Sequence, residues 1–285
     1  MTSKPKVGIS LYSYGWDIKT GKMTVKDAID NAASLNVDGV ELVDKQHIPN
    51  YPHASVYDLI ELRDYIESYG MKVSCYSTYI DDLMRTGQRA TTEECTKMLL
   101  DDIAEAKVLG TKIIRPAMAQ VNIKWLPLVK TLMTNVLPTL KKNDIKQALE
   151  IHAPLPPKAL LEFVKGMKDD YIGLCPDFSA WQMNKQPGMT DLTDNSIAET
   201  VASFSEMNPI ELLEECMPYT IHVHAKAHEF KDGKEVTIPY DKLIPLISKT
   251  GYSGYISTEF EGWMMNEVDS REIAKTHVEL VRKYL

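Results

Sequence analysis

Four phrases in this sequence end apolar runs in residues able to hold a cation or move a proton. They are Leu149-Glu150-Ile151-His152, Cys175-Pro176-Asp177-Phe178, Ile221-His222-Val223-His224-Ala225-Lys226 and Thr258-Glu259-Phe260-Glu261. Side chains alternate faces along a strand, so Glu150 shares a face with His152, His222 with His224 and Lys226, and Glu259 with Glu261. Each residue taken alone has an ordinary explanation. A strand-end Glu is commonly paired with Arg or Lys, a lone His is hydrogen-bonded, and Glu261 before Gly262 can be solvated. Together they point elsewhere. Several buried carboxylates need a positive partner, and a divalent cation serves them all at once. Two histidines at alternate positions lie about 7 Å apart along a strand. One ion with bonds near ~2.1 Å does not take both. One histidine is expected to ligate and the other to have a different task.

The elements that must carry these residues repeat along the chain. Short β-rich runs are read at Lys6–Leu11, Gly39–Val43, Lys72–Tyr76, Lys112–Arg115, Gln147–Ile151, Ile172–Cys175, Thr220–Val223 and Gly254–Thr258. Helical patterns lie between them, among them Val25–Leu35, Val56–Tyr69, Glu93–Leu109, Leu128–Lys142 and Leu243–Lys249, and Ser270–Tyr284 closes the chain. Gly70, Gly110 and Gly251 stand where a helix C-terminus needs positive φ, and Ser55 and Thr91-Thr92 stand at expected N-caps. Eight βα units predict an α/β fold, a (β/α)8 TIM barrel spanning residues 1–285 as one domain. An open doubly wound sheet is the rival, but the Gly-rich phosphate loop expected after its first strand is replaced by Leu11-Tyr12-Ser13-Tyr14-Gly15-Trp16. In a barrel the active site forms at the C-terminal strand ends, where all four phrases fall. The irregular stretch Gln182–Asp194 reads as a long functional loop after strand six.

The remaining numbers mainly exclude. A formal net charge of −8 is a poor start for binding nucleic acid. The four cysteines, Cys75, Cys95, Cys175 and Cys216, form no CxxC pair, which suits a reducing, cytoplasmic setting. The apolar run after Met1–Lys6 is too short for a signal peptide or a membrane span.

Glu on strand five, Asp on strand six, His on strand seven and Glu on strand eight resembles the single-metal pattern of the xylose-isomerase-like sugar isomerase/epimerase superfamily. The phrase His224-Ala225-Lys226 is similar to that family's strand-seven motif, whose His is the ligand. Gly8-Ile9-Ser10-Leu11-Tyr12 and Gly39-Val40-Glu41-Leu42-Val43 add to the likeness, which covers the whole chain. The resemblance thus implies Glu150, Asp177, His224 and Glu259 as ligands, with Glu150 and Glu259 doubling as acid and base. Two positions depart from the family. Ala180 stands where a His often follows the strand-six Asp, and Ala227 where an acidic residue follows the strand-seven Lys. Both weaken a multi-zinc nuclease reading.

Mixed oxygen and nitrogen ligation suits Mn²⁺, with Mg²⁺ or Co²⁺ able to substitute. The ion is expected to chelate a carbonyl and a neighbouring hydroxyl of a sugar, acidifying the adjacent C–H. His152 is an alternative base, since imidazole titrates near neutrality. Arg115, His222 and Lys226 are candidates for holding hydroxyls or oxyanions, and Arg115 is equally a candidate partner for Glu41. Tyr12, Tyr14, Trp16, Tyr76, Tyr79, Trp181 and Trp263 are expected at the same rim, stacking on a sugar face or an aromatic substituent. Tyr12, Trp16 and Trp263 are the foremost of these. An aromatic slot suits a second reading. Enzymes that cleave 3-oxo-C-glycosides resemble the chain in barrel, ligand set and the phrase Glu150-Ile151-His152, and carry a small second subunit. Inosose dehydration is a third variant of the same deprotonation. Otherwise a homo-oligomer is expected, and a non-catalytic sugar-binding barrel is the alternative of another class.

Overall fold

The computed structural model describes residues 4–80, 90–117, 121, 123–152, 155–181, 209–262 and 268–285. Eight parallel strands form the barrel: β1 Lys6–Ser10, β2 Gly39–Val43, β3 Lys72–Tyr79, β4 Ile113–Ala117, β5 Lys146–Ile151, β6 Ile172–Pro176, β7 Val223–Ala227 and β10 Tyr255–Phe260. A two-stranded hairpin, β8 Phe230–Lys231 with β9 Lys234–Glu235, stands between the last two barrel strands. The sheet runs continuously from β6 through β1 to β10 and β7. The seam from β6 to β7 is narrower, two isolated parallel bridges at Leu174↔Thr220 and Asp177↔His224. The barrel is therefore nearly closed, as the sequence pattern predicts.

The helices are α1 Gly15–Lys19, α2 Val25–Ser34, α3 Asp44–His47, α4 Val56–Ser68, α5 Thr92–Leu109, α6 Leu126–Asn143, α7 Pro157–Met167, α8 Pro209–Cys216, α9 Tyr240–Lys249 and α10 Ser270–Tyr284. Local chemistry explains where they start. Thr24 with Asp27, Ser55 with Asp58 and Thr91 with Glu94 form reciprocal capping boxes at α2, α4 and α5. It also explains where they stop. Gly70, Gly110 and Gly251 take φ of 78°, 75° and 79°, the left-handed region open to a residue without Cβ.

Several strands run past their expected ends, while β1 stops at Ser10, one residue short of Leu11. β3 extends to Tyr79, β4 to Ala117 and β10 to Phe260, each beyond its apolar run. The extensions carry polar residues, Ser77, Thr78 and Glu259, which are buried in the barrel and so break the hydrophobic pattern that marks a strand. The seventh strand is displaced most: Val223–Ala227 rather than Thr220–Val223. Met217–Tyr219 is a 3₁₀ turn, and the N–H groups of Ile221 and His222 both donate to Leu174 O, so ladder pairing with β10 begins only at Val223. The stretch Gln182–Asp194 lies outside the described residues. No helix among the described residues is long and apolar enough to cross a membrane.

The core is one large cluster between barrel and helices, with a satellite at the rim where Tyr12, Trp16 and Phe230 pack on Ala227 and Phe260. Three of the expected rim aromatics belong elsewhere. Tyr14, Tyr76 and Trp181 are wholly buried in the main core, with the Tyr14 hydroxyl donating to Asn31 and the Tyr76 hydroxyl to Glu105. Their hydroxyls find acceptors on the surrounding helices, which satisfies them away from the rim. Trp263 lies outside the described residues.

Candidate metal centre

Glu150 near the end of β5, Asp177 just past β6, His224 in β7 and Glu259 in β10 each offer a donor atom, and the four atoms lie within 4.8 Å of one another. Strand register brings them together. Asp177 and His224 are directly bridged across the seam, and His224 pairs with Ser257, two residues before Glu259. His224 Nδ1 faces the group, 3.0 Å from Glu150 Oε1, 3.5 Å from Glu259 Oε2 and 3.8 Å from Asp177 Oδ2.

Every member of the set is held by its other polar atom. Glu150 Oε2 accepts from Arg115 Nη1 at 2.9 Å. Asp177 Oδ1 accepts from the Ser179 N–H at 2.8 Å. Glu259 Oε1 accepts from Lys226 Nζ, and His224 Nε2 lies 3.0 Å from both oxygens of Glu41. Two inward atoms are left over. Asp177 Oδ2 and Glu259 Oε2 are buried and accept no hydrogen bond, with the Lys226 ammonium 3.2 Å from the former, while Glu150 Oε1 and His224 Nδ1 lie 3.0 Å apart. Leaving such oxygens unsatisfied costs about 1–3 kcal/mol apiece, more when charged. A cation at their common centre satisfies both, so the donor set fits a divalent ion with one nitrogen and three carboxylate ligands.

Charge supports the same reading. Glu41, Glu150, Asp177, Glu259 and Glu261 gather around two permanent cations, Arg115 and Lys226. Burial opposes ionisation of Glu41, Glu150 and Asp177, yet their carboxyls are held below the usual range. Arg115 and His224 do this at Glu150, Lys226 and His224 at Asp177, and His224 and His222 at Glu41. The His224 imidazole is correspondingly pushed up, because nearby anionic charge outweighs its burial. The pocket is short of positive charge.

Around this centre the other expected residues are placed as follows. His152, half-buried just after β5, has its imidazole raised: burial opposes the charge, and Glu150 and Asp177 overcome it. Lys226 points its ammonium at carboxylates, Glu259 first, then Glu261 at 3.1 Å and Asp177 at 3.2 Å. Glu261 is therefore a half-buried ion-pair partner rather than a solvated loop residue. Arg115 divides itself between Glu150 at 2.9 Å and Glu41 at 3.8 Å. His222 is fully buried with Nε2 on Glu41 at 3.0 Å, and its partner lies within the protein. Tyr12 lies 5.9 Å below the Lys226 ammonium and Trp16 packs beside it in the rim cluster.

Two residues at the site carried little signal. Glu41 is wholly buried in β2, foreseen only as a candidate partner of Arg115 and not as a neighbour of His222 and His224. His228, half-buried with an unpartnered Nε2, senses Lys226 and Glu261 from the loop after β7. Nothing in its spacing distinguishes it.

A nearly closed parallel barrel with a carboxylate–histidine cluster at the C-terminal rim defines a class of barrel proteins with a candidate metal centre. The chain belongs to the xylose isomerase-like TIM barrel family, whose model matches residues 29–284. It is 24% identical to the 3'-dehydrocarminate deglycosidase alpha subunit of Microbacterium sp., over 93% of this chain and 90% of that one. It is also 24% identical to a C-glycoside deglycosidase alpha subunit of Arthrobacter globiformis, over 98% and 92%. Among solved structures, D-psicose 3-epimerase from Clostridium cellulolyticum H10 superposes with a TM-score of 0.70, covering 98% of this chain and 99% of that chain at 14% identity. These relatives are enzymes.

Proposed function

We propose that the chain is a divalent-metal-dependent enzyme that removes a proton beside the carbonyl of an oxo-sugar. In its first form this is isomerase/epimerase chemistry on a keto-sugar. The observation that carries it is the convergence of donor atoms from Glu150, Asp177, His224 and Glu259, with buried oxygens on Asp177 and Glu259 that accept no hydrogen bond. Glu150, Asp177, His224 and Glu259 are the groups to hold the ion, and Mn²⁺ suits them best, with Mg²⁺ or Co²⁺ able to substitute. When bound, the ion supplies Lewis-acid polarisation of the sugar carbonyl and so acidifies the neighbouring C–H.

The chain's own groups do the rest. The His152 imidazole takes up the proton, its conjugate acid favoured by the Glu150 and Asp177 carboxylates. Glu150 and Glu259 offer carboxylate oxygens on either side of the centre for returning it. Arg115 steadies Glu150, and Lys226 steadies Glu259, so neither swings out of position. Tyr12 and Trp16 give the rim an apolar wall against which a ring face can lie.

A second reading follows from the likeness, over nearly the whole chain, to two deglycosidase alpha subunits. In it the same deprotonation, on a 3-oxo-C-glycoside, ends in expulsion of the aglycone rather than reprotonation on the other face. The word alpha in those names supports a second, smaller subunit for this chain in that case. One experiment separates the outcomes. The protein, loaded with Mn²⁺, is incubated in D₂O with a panel of ketoses and 3-oxo-glycosides. Epimerised sugar carrying deuterium beside the carbonyl supports the first reading, and released aglycone the second. Turnover with no exchange into either product contradicts the proton abstraction itself.

A further inference from the structure

Glu41, His222 and His224 form a second cluster whose donor atoms lie within 4.8 Å of one another, all three side chains fully buried. By residue type it looks like another cation site. Its surroundings argue otherwise. Arg115 Nη2 stands 3.8 Å from Glu41 Oε1, and a second divalent ion there would face that guanidinium in a water-free interior. Ser77 Oγ already donates to Glu41 Oε1 and accepts from Arg115 Nε at 3.1 Å. His224 Nδ1 faces Glu150, Asp177 and Glu259, so an ion held there takes the one lone pair of the neutral imidazole. With the ion bound, Nε2 carries the proton, and Glu41 is the acceptor at 3.0 Å.

The geometry points to Glu41 as the positioning residue of the metal centre: it fixes His224 as the Nε2–H tautomer, with Nδ1 turned to the ion, and through Ser77 and Arg115 it also braces Glu150. This rests on the metal-dependent reading above. One carboxylate thus holds two of the four ligands from behind, His224 directly and Glu150 through a hydrogen-bonded chain. His222 is the second donor to Glu41, at 3.0 Å from Oε2, and helps keep the carboxylate charged and oriented. Partners of this kind are commonly worth 10–100-fold in metal affinity, because they set ligand tautomer, direction and basicity.

The test uses the full chain, stripped with chelator and titrated with Mn²⁺ while free Mn²⁺ is followed by electron paramagnetic resonance. Wild type is expected to bind one ion per chain. Glu41→Gln, equal in shape, keeps that stoichiometry but binds about 10–100-fold more weakly, since a neutral amide oxygen is a weaker acceptor than a carboxylate and its NH₂ replaces one of the two accepting oxygens. His222→Asn, which leaves Glu41 free to serve His224, loses much less. A wild-type measurement covers the case in which Glu41→Gln does not fold. In ¹⁵N-histidine-labelled protein loaded with Mg²⁺, the His224 Nδ1 signal shifts while Nε2 retains its proton. Two ions per chain in wild type, with Glu41→Gln losing one, overturns the inference by making Glu41 a ligand. Unchanged affinity in folded Glu41→Gln, or loss of the Nε2 proton on loading, overturns it too, while the metal centre itself stands. A wild type that binds no divalent ion removes the metal-dependent reading, and the inference with it.

Discussion

Glu150, Asp177, His224 and Glu259 each turn one atom toward a common centre and anchor the other, so that four different elements agree on one point in space. His152 stands outside this arrangement. It follows Glu150 by two positions on the same strand face, and its imidazole is raised by the carboxylates without being counted among the ligands. That separation makes it the informative residue to remove. His152→Ala is expected to bind Mn²⁺ within about threefold of wild type while losing 10²-fold or more of the deuterium exchange. Glu259→Gln is expected to lose both, because the same side chain ligates and moves protons. If His152→Ala exchanges at the wild-type rate, the proton goes to Glu150 or Glu259 instead. The residue types at strand ends were readable from the sequence because carboxylates and imidazoles interrupt apolar runs where barrels keep their sites. Glu41 was harder, since its partners Ser77, Arg115, His222 and His224 come from three other strands and only closure of the barrel assembles them.

At the level of elements the weak place is the seam between β6 and β7. Continuous ladders join the other neighbouring strands, but here two isolated bridges do the work, and one of them joins Asp177 to His224. Gly173 makes the close approach possible. A Cβ at that position would meet Tyr219 O at 2.5 Å and Ile221 Cδ1 at 2.6 Å, so the chain before β7 lies directly against β6. Gly173→Ala must push Tyr219 and Ile221 outward, an overpacking that costs about 1–3 kcal/mol. Because the displaced segment leads into His224, Mn²⁺ affinity should fall along with the thermal midpoint. Gly166→Ala, in α7, is the matched control, as nothing lies within 4 Å of the added carbon. Equal thermal midpoints and affinities in the two variants would mean that the seam has slack. The same seam limits what could be read in advance. Periodicity reported eight βα units, because apolar alternation and capping residues are local signals. It set β7 three residues early, because Thr220–His222 look like strand but serve as a bridge segment satisfied by Leu174.

Across the whole molecule, the rim centre is tied to the helical layer by buried histidines that must stay neutral. In the α3 residue His47, Nδ1 accepts the Val43 N–H at 2.8 Å, and a proton on that nitrogen would confront another donor. In the α10 residue His277, Nε2 lies 2.6 Å from the Tyr240 hydroxyl, whose own proton is donated to Lys226 O at 2.8 Å. His277 Nε2 is therefore the donor, and Nδ1 is the buried nitrogen left without a partner. Burial holds both imidazoles down at about 3, against 6.5 when the group is free. The sign follows directly. Between pH 6.5 and 3 the unfolded chain takes up protons at these two positions and the folded chain does not, so stability falls as pH falls. Each contributes about 1.4 kcal/mol per pH unit once the unfolded imidazole is fully charged. His222 and His228, lowered by burial, add to this fall, whereas His224 and His152, whose imidazoles are raised, oppose it down to about pH 6.5 and stop contributing only once the unfolded imidazole is fully charged. Urea midpoints of chelator-treated protein at pH 7.5, 6.5 and 5.5 should fall more between the second pair of values than between the first. His277→Gln, which can still donate to Tyr240, should lower stability at pH 7.5 but flatten the drop toward pH 5.5 by one proton's share. A variant as acid-sensitive as wild type would show that His277 takes up its proton in the folded state, against the tautomer that the Tyr240 and Lys226 hydrogen bonds require.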